Sequence, residues 1–313
     1  MILRIVPVPA MITALVVLAT ACSSGDGEPA SSSQVPPESR VDEIVLKKGP
    51  LSPDGLQAIF ATPDLGVGSN RVGFVITSKT GLVREPAASV TSFYRAYDSS
   101  EAEQKQTALA LFRPWPHSTR GSYTTKLDFD RPGQWSLNIS VLDPEGPSRL
   151  VELSFEVAAV PSAPAVGDSA VASRSKTIDD VAGLEELTTG SLQDPDLYRT
   201  TIADSIISGL PTVVVMASPA FCTNAVCGPQ VDVLRDLKDK YPGQANFIHV
   251  DFYDNPHEIQ GDLDRARLSP TVLEWNLPSS EWSFVIDRNG TVAARFEAFA
   301  TIGEIEQALL DLL

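Results

Sequence analysis

The chain has 313 residues, with 40 acidic against 24 basic side chains and a formal net charge of -16. That charge excludes nucleic acid as a partner and excludes electrostatic attraction to anionic lipid, since both would be repelled. After removal of a leader, the length suffices for two domains of ordinary size, each with a core of its own.

The N-terminal stretch Met1 to Ala21 has one early cation, Arg4, an apolar run from Met11 to Ala19, and small residues before Cys22. This is the pattern of a secretory signal peptide over residues 1–21, too short to span a bilayer. Its end, Leu18-Ala-Thr-Ala-Cys22-Ser-Ser, resembles a bacterial lipobox, with Ala19 where leucine is usual. The resemblance implies that Cys22 is lipidated and becomes the mature N-terminus. The protein is then anchored at the extracytoplasmic face of a bacterial cell membrane without a spanning helix. Such a compartment is oxidising, so a cysteine pair can persist there as a disulfide.

Residues 22–42 read as a flexible tether, because Ser23 to Arg40 is Ser, Pro, Gly and acidic residues with almost nothing to bury. Residues 43–158 alternate with period two instead, as in Val72, Phe74, Ile76 and in Trp135, Leu137, Ile139, Val141. Turn residues such as Arg131-Pro-Gly133 separate the runs, which predicts half-buried antiparallel strands and a small immunoglobulin-like β-sandwich. Gly121 to Leu137 resembles the last hairpin of small extracytoplasmic sandwich domains, some of which handle copper. His117 alone could serve as a ligand there, so the region is read as a spacer or docking domain.

Residues 159–177 form a Pro/Ala/Ser linker, and 178–313 a second domain. In that domain Asp194-Pro195 predicts a helix start, followed by a strand at 212–216, a helix at about 226–241, a strand at 245–252 and a helix at about 257–268. Strands at 283–287 and 291–297 follow, joined by the turn residues Asp287-Arg-Asn289-Gly290. A capping box at Thr301-Ile-Gly-Glu304 then opens a helix at 302–312.

Two of the three cysteines, Cys222 and Cys227, lie where the 212–216 strand gives way to a helix. Free backbone N–H groups at a helix N-terminus favour thiolate over thiol, so this is a redox constellation. With this element order, the cysteines at the first strand-to-helix turn resemble the thioredoxin-like superfamily, and in particular membrane-anchored thioredoxin-like lipoproteins of the bacterial envelope. The resemblance covers about residues 195–313. It implies an α/β thioredoxin-like domain (β-α-β-α-β-β-α) after the sandwich, with Cys222 attacking a partner disulfide and Cys227 resolving the mixed disulfide. Phe221, Glu281 and Trp282 would dock the substrate. Glu281 stands where the family carries a cis-proline, and its charge near the thiols would disfavour thiolate.

Four residues separate the cysteines where thioredoxins have two. In a continuous helix, a five-residue step rises about 7.5 Å and turns about 140°, beyond disulfide reach, so a bond between them requires 223–226 to be a loop or unwound turn.

The activity read from these residues is thiol-disulfide exchange with another envelope protein, by a monomer needing no cofactor or metal. Other readings stand beside it. A thioredoxin-like binding module could carry Cys222 and Cys227 as a structural disulfide. The five-residue step also resembles one class of atypical peroxiredoxin, although Val215 and Pro219 occupy its Pro and Thr/Ser places. A copper-handling site could draw on the two cysteines with His249 or His257.

Overall fold

The computed structural model describes residues 47–313 except 117, 143–147, 192 and 222–226. The expected signal peptide, the tether, the lipidated Cys22, His117 and Cys222 all fall outside those residues. No helix among the described residues is long and apolar enough to cross a membrane.

Period-two patterning produces the strands β1 (Gln57–Phe60), β2 (Gly68–Ser78), β3 (Gly81–Leu82), β4 (Ala87–Arg95), β5 (Ala102–Pro114), β6 (Gly121–Phe129), β7 (Gly133–Val141) and β8 (Arg149–Val157). On β7 burial alternates strictly, with Trp135, Leu137, Ile139 and Val141 inward. The strands do not split into the two packed sheets of an immunoglobulin-like sandwich. One antiparallel sheet runs unbroken in the order β1-β2-β6-β5-β4-β7-β8, with β3 paired to β2.

This sheet curls until its two ends meet. Phe60 of β1 stacks on Phe155 of β8 at 4.9 Å between ring centres, and the segments flanking those strands bridge at Gly66 and Ala158. The expected sandwich is thus corrected to a nearly closed barrel. Alternation defines an inward face, but strand order and closure are set by pairings far apart in sequence. A bulge between Thr91 and Phe93 of β4 adds the local twist that coiling needs.

The rest of the chain builds a second sheet from β9 (Thr212–Ala217), β10 (Asn246–Val250), β11 (Glu281–Ile286) and β12 (Val292–Glu297), in the order β10-β9-β11-β12. β10 lies parallel to β9, whereas β11 is antiparallel to both β9 and β12. Every residue of β9 is buried because both faces are covered. Val213 and Val215 pack with Leu234, Leu237, Ile305 and Leu309, while Val214 and Met216 pack with Trp275, Trp282 and Phe284.

The α/β thioredoxin-like assignment for this region is corrected as well. Helices are few: α1 (Ile202–Ile206), α3 (Pro256–Ile259) and α4 (Pro270–Glu274) are no longer than five residues, leaving α2 (Cys227–Lys240) and α5 (Ile302–Leu310). The helix expected at 257–268 stops after one turn, because Gln260 at φ 49° and Gly261 at φ 84° are left-handed. The structure is mostly β, a barrel-like sheet and a second sheet.

The described residues all fall in one compact unit, and ionic contacts join the barrel to the second sheet within it. Arg71 of β2 donates to Glu304 of α5 at 2.9 Å and to the carbonyls of Glu297 and Phe299. Arg295 of β12 donates to Asp64 at 2.6 Å and to the Asp64 and Ala163 carbonyls. The Pro/Ala/Ser stretch is packed along this seam. Ala163 is buried, Gly167 donates to the Val292 carbonyl, and Val292 donates to that of Asp168, so the segment covers the free edge of β12.

Candidate functional site

The turn after β9 leads from Ser218 through Phe221 toward the residues before α2. Cys227 is the first residue of α2 and is fully buried. Its sulfur is held in a disulfide and does not titrate. The second sulfur lies outside the described residues. One turn along α2, the buried Gln230 accepts a hydrogen bond from the Ala300 amide, tying the start of the helix to the loop before α5. Phe221 is half-buried, edge-on to Tyr253 at 6.2 Å.

A part-buried polar chain fixes the base of this turn. The Thr189 hydroxyl lies 3.0 Å from an Asp251 carboxylate oxygen and accepts from the Ala220 amide at 3.1 Å. Its distance to the Ser218 hydroxyl is 3.0 Å. The same Asp251 oxygen accepts from the Thr189 amide at 2.7 Å, and its other oxygen accepts from the Tyr253 amide. Burial pushes the Asp251 carboxyl up to about 6, against the pull of these donors. The chain thus runs from the end of β10 to an amide two residues before Cys222.

His249 sits beside it, deep in the sheet. Its Nδ1 lies 2.6 Å from the Tyr198 hydroxyl and its Nε2 lies 2.9 Å from the Ala217 carbonyl. Burial drives its pKa down to about 4, so the ring is neutral near pH 7. A carbonyl can only accept, so Nε2 carries the proton and Nδ1 accepts from Tyr198. Both ring nitrogens are committed, which removes His249 as the metal ligand the sequence allowed. His257 is exposed, with its Nε2 3.9 Å from Glu258. Among the described residues, no group of three or more His, Cys, Asp or Glu could hold a metal ion.

Two of the three residues expected to dock a substrate, Glu281 and Trp282, are not at the surface. Glu281 opens β11 opposite Ala217 and is buried. Trp282 pairs with Met216 and is fully buried, stacked on Phe284 at 5.6 Å under the Arg295 guanidinium. Trp275 is fully buried too, donating to the Ser173 hydroxyl at 3.1 Å. Glu281 and Trp282 belong to the strand and not to the loop before it, because β11 begins two residues earlier than its apolar pattern predicts. The cavity beside His249, Asp251 and Lys176 measures about 30 Å³, room for little more than water.

The sequence reading missed Thr189, Tyr198 and Asp251. An acid ending the apolar run Phe247 to Val250 was a usable sign for Asp251. Thr189 carries no local signal, since its partner is 62 residues away.

No protein-family model matches the chain, and no curated protein matches it. Among solved structures, it is similar to the crystal structure of Trgpx in apo form, at 17% identity over 40% of this chain and 95% of that one, with a TM-score of 0.23. A score of that size assigns neither fold nor function.

Proposed function

We propose that the chain is a cell-envelope lipoprotein, held at the extracytoplasmic membrane face by a lipid on Cys22, whose Cys222/Cys227 pair exchanges disulfides with another envelope protein. The observation that carries this reading is Cys227 itself, a disulfide-held sulfur at the first residue of α2. Unpaired N–H groups at a helix start stabilise a thiolate there, which makes the sulfur a good leaving group as well as a resolving nucleophile.

Starting from the reduced pair, the Cys222 thiolate attacks one sulfur of a client disulfide. A new S–S bond forms, and the other client sulfur leaves as thiolate and takes a proton from water. Cys227, deprotonated, then attacks the Cys222 sulfur and expels the client's remaining thiol. Two electrons pass to the client and the pair ends oxidised. The reverse sequence oxidises a client dithiol.

The burial of Glu281 and Trp282 favours a second reading, a structural disulfide in a binding module, because of the three expected docking residues it leaves only Phe221 part-exposed. Trapping separates the two. Under exchange, Cys227→Ser accumulates a mixed disulfide with a client and Cys222→Ser does not; under the structural reading neither variant traps anything.

A further inference from the structure

Between the barrel strands β2, β5 and β6 on one side and β12 and α5 on the other lies a groove of about 1030 Å³. On the barrel wall Leu109, Leu111 and Arg113 alternate outward along β5, and Thr124 and Lys126 along β6, all lining the groove. Leu109 is 54% exposed and Leu111 39%, so both offer apolar surface to the groove. Ala308 of α5 and Leu312 just beyond it line the other side.

Four of the eight charged residues of the lining form ion pairs. Arg71 pairs with Glu304 and Arg295 with Asp64. Glu297 accepts from the Asp64 amide and the Ser279 hydroxyl, and Asp311 accepts from Gln307. Arg113 and Lys126 have no such partner among the described residues, and the Nε of Arg113 is buried without a hydrogen bond. On the barrel wall, Arg113 and Lys126 are thus two cations without an ion pair among the described residues, whereas Glu297 and Asp311 lie on the opposite wall, so the barrel wall is the side that attracts negative charge.

Their spacing specifies the ligand further. Arg113 pairs with Ser122, so Lys126 lies four residues along β6, about 13 Å at roughly 3.3 Å per residue. Leu111, opposite Thr124, sits midway. In an extended peptide, residues i and i+4 project to one side with that same separation, and i+2 projects between them. We propose that this groove binds an extended acidic peptide segment of another protein, with the pattern acidic-x-apolar-x-acidic. The two acids meet Arg113 and Lys126, and the apolar residue meets Leu111 and the α5 wall.

The test is fluorescence anisotropy of the full chain with a labelled peptide Ala-Glu-Ala-Leu-Ala-Glu-Ala. Saturable binding is expected, weakening as salt shortens the Debye length to about 3 Å at roughly 1 M. Arg113→Glu and Lys126→Glu should each weaken it by about tenfold. Lys79→Glu, beyond the far end of β2, should leave it unchanged, and a peptide with lysine for both glutamates should not bind. Lys126→Glu and Lys79→Glu, at exposed positions, keep the parental melting temperature, so loss of binding in Lys126→Glu reads the charge and not the fold. Binding that survives Arg113→Glu, absence of saturation at millimolar peptide, or binding of dodecanoate without binding of peptide would each overturn the proposal.

Discussion

The Thr189 hydroxyl stands 3.0 Å from the Asp251 carboxylate while accepting the Ala220 amide, so one side chain links the end of β10 to the turn that precedes the cysteines. Removing that hydroxyl takes a partner from the buried Ser218 hydroxyl and from the buried Asp251 carboxylate. Thr189→Val should therefore destabilise the protein by about 1 to 3 kcal/mol in chemical denaturation, the usual penalty for an unsatisfied buried group. Thr189→Ser, which keeps the hydroxyl, should cost much less. Equal losses in the two variants would show that the hydroxyl bonds contribute nothing.

Glu297 predicts a pH dependence. Burial pushes its carboxyl up from 4.5 to about 7. The folded state therefore holds a proton that the unfolded chain has released between about pH 4.5 and 7, and its contribution falls as pH rises through that window. The integrated loss is on the order of 3 kcal/mol. His249, held down at about 4, works the opposite way, since it costs stability as pH falls below 6.5. The difference between the parent and Glu297→Gln isolates the acid. Glu297→Gln should gain relative stability from pH 5 to pH 8, and a pH-independent difference would contradict this.

The seam between barrel and second sheet depends on Arg71, whose side chain is 10% exposed beside Glu304 at 13%. Arg71→Met strands the Glu304 carboxylate and two backbone carbonyls, and should cost about 3 to 5 kcal/mol. Adding Glu304→Gln should recover part of that, because the stranded charge is gone while an amide can still accept the cap bond from Thr301. Identical stability of the single and double variants would indicate that the charge is not what matters.

The anchor is tested by Cys22→Ser, which should abolish acyl labelling and move the protein out of the membrane fraction. Membrane association that persists without acyl mass on the native N-terminus would exclude it.

Local signals in the sequence placed individual elements well. The run Thr212 to Met216 becomes β9, the stripe of Leu234 and Leu237 becomes α2, and the Thr301–Glu304 capping box forms as expected. The Asp287–Gly290 turn is correctly located, although among these residues Gly290 alone takes a positive φ, with Asp287 accepting the Asn289 and Thr291 amides. Closure of the barrel was not legible, because it depends on Phe60 meeting Phe155 across 95 residues. The same limit hid the Thr189–Asp251 link and the groove. The buried positions of Glu281 and Trp282 depend on where β11 starts, which antiparallel pairing with Ala217 and Met216 decides.

The central claim, that the disulfide holding Cys227 is reversible in function, is tested most directly by its equilibrium reduction potential in the folded full chain against glutathione and dithiothreitol buffers. Exchange activity predicts a value between about -270 and -120 mV, the span of thiol-disulfide exchange proteins. A value below about -300 mV, with the pair resisting reduction until the protein unfolds, would contradict it and establish a structural disulfide.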